Sequence, residues 1–176
     1  MAYKNKTFVS FASEDITSYR LMTAWKKNKN IDFDFFDAHD LNTARDTSQP
    51  ETIKRRLRER LANTKQIILL VGDKTKSKSA KTDTFIHYEV EVIKNLGIPV
   101  ILVNLNQDRK SDNTRVPTSL HEIYTISTSF QPKIIKYALD NFISAYSENE
   151  KKKNDDNTKK KGLYYYKEKV YKDLNL

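Results

Sequence analysis

The chain has 176 residues and a formal net charge of +9, with no cysteine and three histidines. That length holds one domain, or one domain with a tail, and 38% apolar residues suffice for a continuous core. The lack of cysteine excludes disulfides and thiolate metal sites, and His39, His87 and His121 stand far apart with no carboxylate pair at a ligand spacing, so no metal centre is expected.

The polar start, Met1–Lys6, runs straight into the first strand-like segment, Lys6–Phe11 (KTFVSF), with no apolar export signal between them. Asp15–Lys27 then has a helical pattern, and Ile31–Asp37 (IDFDFFD) alternates as a strand does. Pro50–Asn63 reads as a helix with a basic run, Lys54-Arg55-Arg56-Leu57-Arg58-Glu59-Arg60. Such a run can meet phosphates, but no aromatic or Asn/Gln reading pattern accompanies it, so a solvated helix face is expected and nucleic acid is not.

Gln66–Gly72 (QIILLVG) and Ile98–Leu105 (IPVILVNL) are nearly unbroken apolar runs, as expected of central strands covered on both faces. Asp83–Leu96 between them is helical in pattern; Glu122–Ser127 reads as a fifth strand and Pro132–Tyr146 as a final helix. Strand and helix alternating in this way predict an α/β fold, a parallel five-stranded sheet of order 2-1-3-4-5 with helices on both sides. The domain spans residues 1–147. Residues 148–162 (ENEKKKNDDNTKKKG) read as a charged flexible linker, and 163–176 as a tyrosine-rich C-terminal segment that can dock on the domain or on a neighbouring subunit. No segment approaches the ~18 apolar residues of a membrane span, so no membrane partner is expected, and with no cysteine and no export signal a cytosolic location is expected.

Ligands in such a sheet bind beyond the carboxyl ends of the strands, at the switch point between strands one and three. Here those ends are Phe11-Ala12-Ser13-Glu14-Asp15 and Gly72-Asp73-Lys74-Thr75. Three glycines in the whole chain form neither G-x-G-x-x-G nor G-x-x-x-x-G-K-[ST], which excludes an ordinary Rossmann cofactor or P-loop site. On the helix after strand three, with Phe85 at 0° and 100° per residue, Glu89 falls at about +40°, inside the apolar stripe, and Glu91 at about 240°, on the opposite side. A carboxylate within an apolar stripe must be paired, hydrogen-bonded or reached by a ligand.

Phe8-Val9-Ser10-Phe11 with the polar turn Ala12-Ser13-Glu14-Asp15, and Phe85-Ile86-His87-Tyr88-Glu89 after the third strand, together resemble TIR motifs. With Phe36-Asp37-Ala38 and Leu57…Leu61-Ala62-Asn63-Thr64, the resemblance narrows to the TIR-like proteins of the bacterial Thoeris antiphage system, the ThsB family, over about Thr7 to Leu105. It departs at Phe85, where many members have tryptophan. The resemblance implies a flavodoxin-like, TIR-like three-layer sandwich that takes NAD as substrate, with no other cofactor, and cleaves its nicotinamide–ribose bond. It implies Glu89 as the catalytic residue and Phe11, Ala12, Ser13, Asp37, Asp73, Lys74 and Tyr88 as substrate-binding residues, with Lys76 an alternative to Lys74. It further implies an ADP-ribose-derived, often cyclic, signal that activates a separate effector, and admits self-association. Asp37 and Asp73 read equally well as turn and cap residues.

Two other readings compete. One is a TIR-like assembly module without turnover. The other is a phospho-acceptor receiver with Asp73 as acceptor, which is disfavoured because Glu14 and Asp15 lie beyond the strand end and no lysine ends strand five.

Overall fold

A computed structural model describes residues 6–37 and 49–176. Met1–Asn5, Ala38 and His39, all used in reading the sequence, lie outside them. The described elements are β1 (Lys6–Ser10), α1 (Ile16–Lys27), β2 (Phe36–Asp37), α2 (Pro50–Leu61), β3 (Gln66–Val71), α3 (Thr75–Ser79), α4 (Phe85–Leu96), β4 (Val100–Asn104), β5 (Thr125–Ser129), α5 (Pro132–Glu150), β6 (Leu163–Tyr165) and α6 (Glu168–Asp173). Five strands form a parallel sheet in the expected order 2-1-3-4-5, and β6 adds parallel to the outer edge of β5.

The apolar runs divide between the two faces of the sheet, because successive strand residues point to opposite sides. Phe8, Ile67, Leu69, Val71 and Leu102 pack with Leu57 and Leu61 of α2 and with Ile86, Val90 and Ile93 of α4. Val9, Ile68, Leu70 and Ile101 pack on the other side with Tyr19 and Met22 of α1 and Ile135, Leu139 and Phe142 of α5. The layers are therefore helix, sheet, helix, with α2 and α4 together on the Phe8 side.

α4 has clear boundaries in the sequence. Thr84 caps its start, accepting a hydrogen bond from the His87 backbone N–H at 3.3 Å. Gly97 ends it in the left-handed region at φ 61°, where glycine carries no Cβ penalty. The five-residue α3 precedes it, tied on by Thr84 Oγ1 donating to the Lys78 carbonyl at 2.7 Å.

Several elements differ from the sequence reading. β2 is confined to Phe36–Asp37, which pair with Lys6 and Thr7; earlier residues would need partners before Lys6, outside the described residues. Its approach is anchored nonetheless, with Phe33 and Phe35 buried and Asp32 and Asp34 paired to Lys136 and Lys26. β5 starts three residues later than expected, at Thr125, and consists of Thr125-Ile126-Ser127-Thr128-Ser129, all buried. Of the segment 148–162, composed like a flexible linker, residues 148–150 extend α5 and the rest is folded back as turns. Asn149 clamps it, donating from Nδ2 to the Lys160 carbonyl at 2.9 Å and accepting the Lys160 N–H at 2.7 Å. The tyrosine-rich end docks on the domain itself. Tyr171 is fully buried, its hydroxyl accepts the Ser129 N–H at 3.1 Å, and the Arg109 guanidinium lies 4.4 Å from its ring centroid.

Candidate functional site

β1 and β3 are neighbours, so the turn after Ser10 and the loop after Val71 meet at the carboxyl edge of the sheet. A short 3₁₀ turn, Ser13–Asp15, follows β1 there. The Asp15 carboxylate rests on Gly72 so closely that a Cβ at that position would stand 2.5 Å from its oxygens. Burial, with Glu14 and Asp73 nearby, holds the Asp15 carboxyl above its ordinary range. Glu14 reaches across to α3 and pairs with Lys78 at 2.7 Å.

Beneath this edge, on the Phe8 side of the sheet, lies Glu89. It is only 8% exposed, between the buried residues Tyr88 and Val90 of α4. Ser10 Oγ donates to its Oε2 at 2.5 Å, joining β1 to α4. Burial pushes the Glu89 carboxyl up to about 7; the Ser10 hydrogen bond and the positive charge of Arg60 on α2 act in the opposite direction without cancelling it. Near neutral pH the group therefore interconverts between acid and carboxylate. Glu91, two residues on, faces the other way: it is half exposed and pairs with Lys54 at 3.1 Å and His87 at 3.7 Å. The helical phase thus separates the two glutamates as the sequence implies.

The other expected residues fall into three groups. Ala12 is buried on the Glu89 side of the sheet, and Ser13 is exposed in the turn above, donating to Glu14 at 3.1 Å. Asp73 and Lys74 are exposed on the loop after β3, where Asp73 pairs with Arg115 at 2.5 Å, and Lys76 donates to the Asn113 carbonyl at 2.8 Å. Phe11 is turned away from Glu89, whereas Tyr88 precedes it on α4 in the same apolar layer. Phe11, one residue on from Ser10, packs toward the opposite face and stacks on Tyr19 at 5.0 Å, while Tyr88 is buried with the Lys54 ammonium 5.8 Å from its ring centroid. Asp37 ends β2 beside Thr7, and its side chain is not among those described.

The family of the Thoeris protein ThsB, TIR-like domain, matches residues 8–110, more than half of the chain. This chain belongs to that family. The ThsB TIR-like match runs from β1 through α4 and β4, so it contains Ser10, the Ser13–Asp15 turn, Asp73 and Glu89. A TIR-like protein of Thoeris defence works alongside other defence proteins. No helix among the described residues is long and apolar enough to cross a membrane.

Reading the sequence as motifs passed over Ser10 as a site residue, together with Arg60 and the Lys78–Glu14 pair. For Ser10 a usable signal was present: residues two apart on a strand share a face, so Phe8, Ser10 and Ala12 point together toward the helix that carries Glu89. For Arg60 and Lys78 there was none, since each lies in a run of basic residues that looks solvated.

Proposed function

We propose that this ThsB-family chain cleaves NAD at the nicotinamide–ribose bond and produces an ADP-ribose-derived, often cyclic, signal that activates a separate effector in the cytosol. The bond between ribose C1′ and the nicotinamide nitrogen breaks with both electrons leaving on nicotinamide, which departs neutral. C1′ takes on oxocarbenium character and is captured by water or by a nucleophile within the ADP-ribose itself, with a proton released to solvent. Glu89, as its anion, stabilises that developing positive charge. The Asp73–Lys74 loop and the turn at Ala12 and Ser13 hold the remainder of the dinucleotide at the same sheet edge.

One observation carries this reading: a lone carboxylate buried in an apolar helix face, below the switch-point edge of a TIR-like sheet, in a protonation balance that substrate can tip. The cationic nicotinamide ring, on entering, favours the carboxylate form. The same burial gives the competing reading its support, because a glutamate 8% exposed and bonded to Ser10 also suits a structural post in a non-catalytic assembly module. Mass spectrometry of phage-challenged cells expressing the chain decides between them. Loss of NAD with free nicotinamide and an ADP-ribose derivative is expected, and protected cells with unchanged NAD and no such product would favour the assembly module.

A further inference from the structure

We propose that Ser10 is a positioning residue for Glu89: its hydroxyl holds Oε2 and keeps the carboxylate aimed and charged as substrate arrives. This inference rests on the enzymatic reading above and names a second residue of the same site. Ser10 is in register with Leu69 of β3, so its backbone is fixed by the β1–β3 ladder. Its side chain is fully buried and points across the layer to a helix 79 residues away in sequence. The hydroxyl is set against Oε2 at hydrogen-bond distance, 2.5 Å, and a donor placed there favours the ionised form of the carboxyl. A carboxylate on a helix turns about its own χ angles, and a donor fixed on the sheet restricts that rotation.

The surroundings of Glu89 give the hydroxyl further weight. Its helical neighbours three and four residues away are Phe85, Ile86, Val92 and Ile93, which offer no hydrogen bond. From α2, Arg60 contributes positive charge, while Lys54 is turned to Glu91. Ser10 is therefore the hydrogen bond that favours the charged form against burial among the described residues, and a hydrogen bond to a charged group is worth more than a neutral one.

The test uses the full chain and two readouts. Stability followed against pH contains a step as Glu89 ionises. Ser10→Ala is expected to move that step to higher pH by about one to two units. Ser10→Thr restores it, and Ser10→Ala adds no pH-dependent change in a Glu89→Gln background. In phage-challenged cells Ser10→Ala is expected to lower NAD-derived product about tenfold or more, with Ser10→Thr recovering much of it. If Ser10→Ala does not fold, Ser10→Cys keeps the size, weakens the donor and carries the same expectations. An unmoved step overturns the inference whether or not NAD is cleaved. A moved step with no NAD-derived product even from the wild type leaves Ser10 bonded to Glu89 but removes its catalytic role, and refutes the enzymatic reading with it.

Discussion

Replacing Glu89 by glutamine should stabilise the protein at neutral and alkaline pH while leaving acid stability nearly unchanged. The carboxyl ordinarily titrates at 4.5 and is raised to about 7 in the folded chain, chiefly by burial. Between those values the folded state holds a proton that the unfolded state has released, so stability falls as pH rises through the window and reaches its floor above about 7. The width of the window corresponds to on the order of 3 kcal/mol. For a chain of this size that is roughly 6 to 12 °C in melting temperature. Glutamine keeps the shape, can still accept from Ser10 through its amide oxygen, and has no charge to desolvate. Melting curves of both proteins from pH 4 to pH 9 should therefore coincide at the acid end and separate steadily up to about pH 7. Parallel curves across the range would mean that Glu89 does not titrate in this window, and the argument from its burial would fail.

The rest of the fold offers sharper structural tests. Tyr171→Ala removes a fully buried ring and the hydroxyl that accepts the Ser129 N–H, and should cost about 3 kcal/mol or more; Tyr165→Ala, at a residue 46% exposed, should change the chemical denaturation midpoint little. Deleting residues 148–176 should lower the melting temperature, because it strips β6 from the β5 edge and removes Tyr171; an unchanged value would show that the docked tail contributes nothing. Gly97→Ala has open space for its Cβ but requires φ 61°, so circular dichroism should report a loss of about 1 kcal/mol with no change in helix content.

What the sequence made legible was whatever periodicity encodes. The apolar runs in β3 and β4 are buried on both faces, and the 100° helical step separates Glu89 from Glu91. β5 was displaced because Thr128-Ser129 look like a loop, although β-branched threonine suits a strand. α3 left no trace, being five polar residues with no stripe to bury. The segment 148–162 misled through composition: lysines and aspartates gave no sign that one amide side chain, Asn149, would clasp Lys160 and return the chain to the sheet. Ser10 and Glu89 show the deeper limit. A lone serine on a strand has no pattern of its own, and its meaning depends on which residue of a distant helix the fold sets opposite it.

The claim that Glu89 does chemistry is tested most directly by measuring NAD-derived products in phage-challenged cells for Glu89→Gln beside Glu91→Gln. Both changes remove one negative charge from the same helix, and only the direction of the side chain differs. Loss of the buried carboxylate should reduce product by on the order of a hundredfold or more, whereas Glu91→Gln, which gives up only a half-exposed ion pair with Lys54, should stay near wild type. Equal product from the two variants, with both folded and expressed at wild-type levels, would make Glu89 a structural glutamate and the chain a binding module.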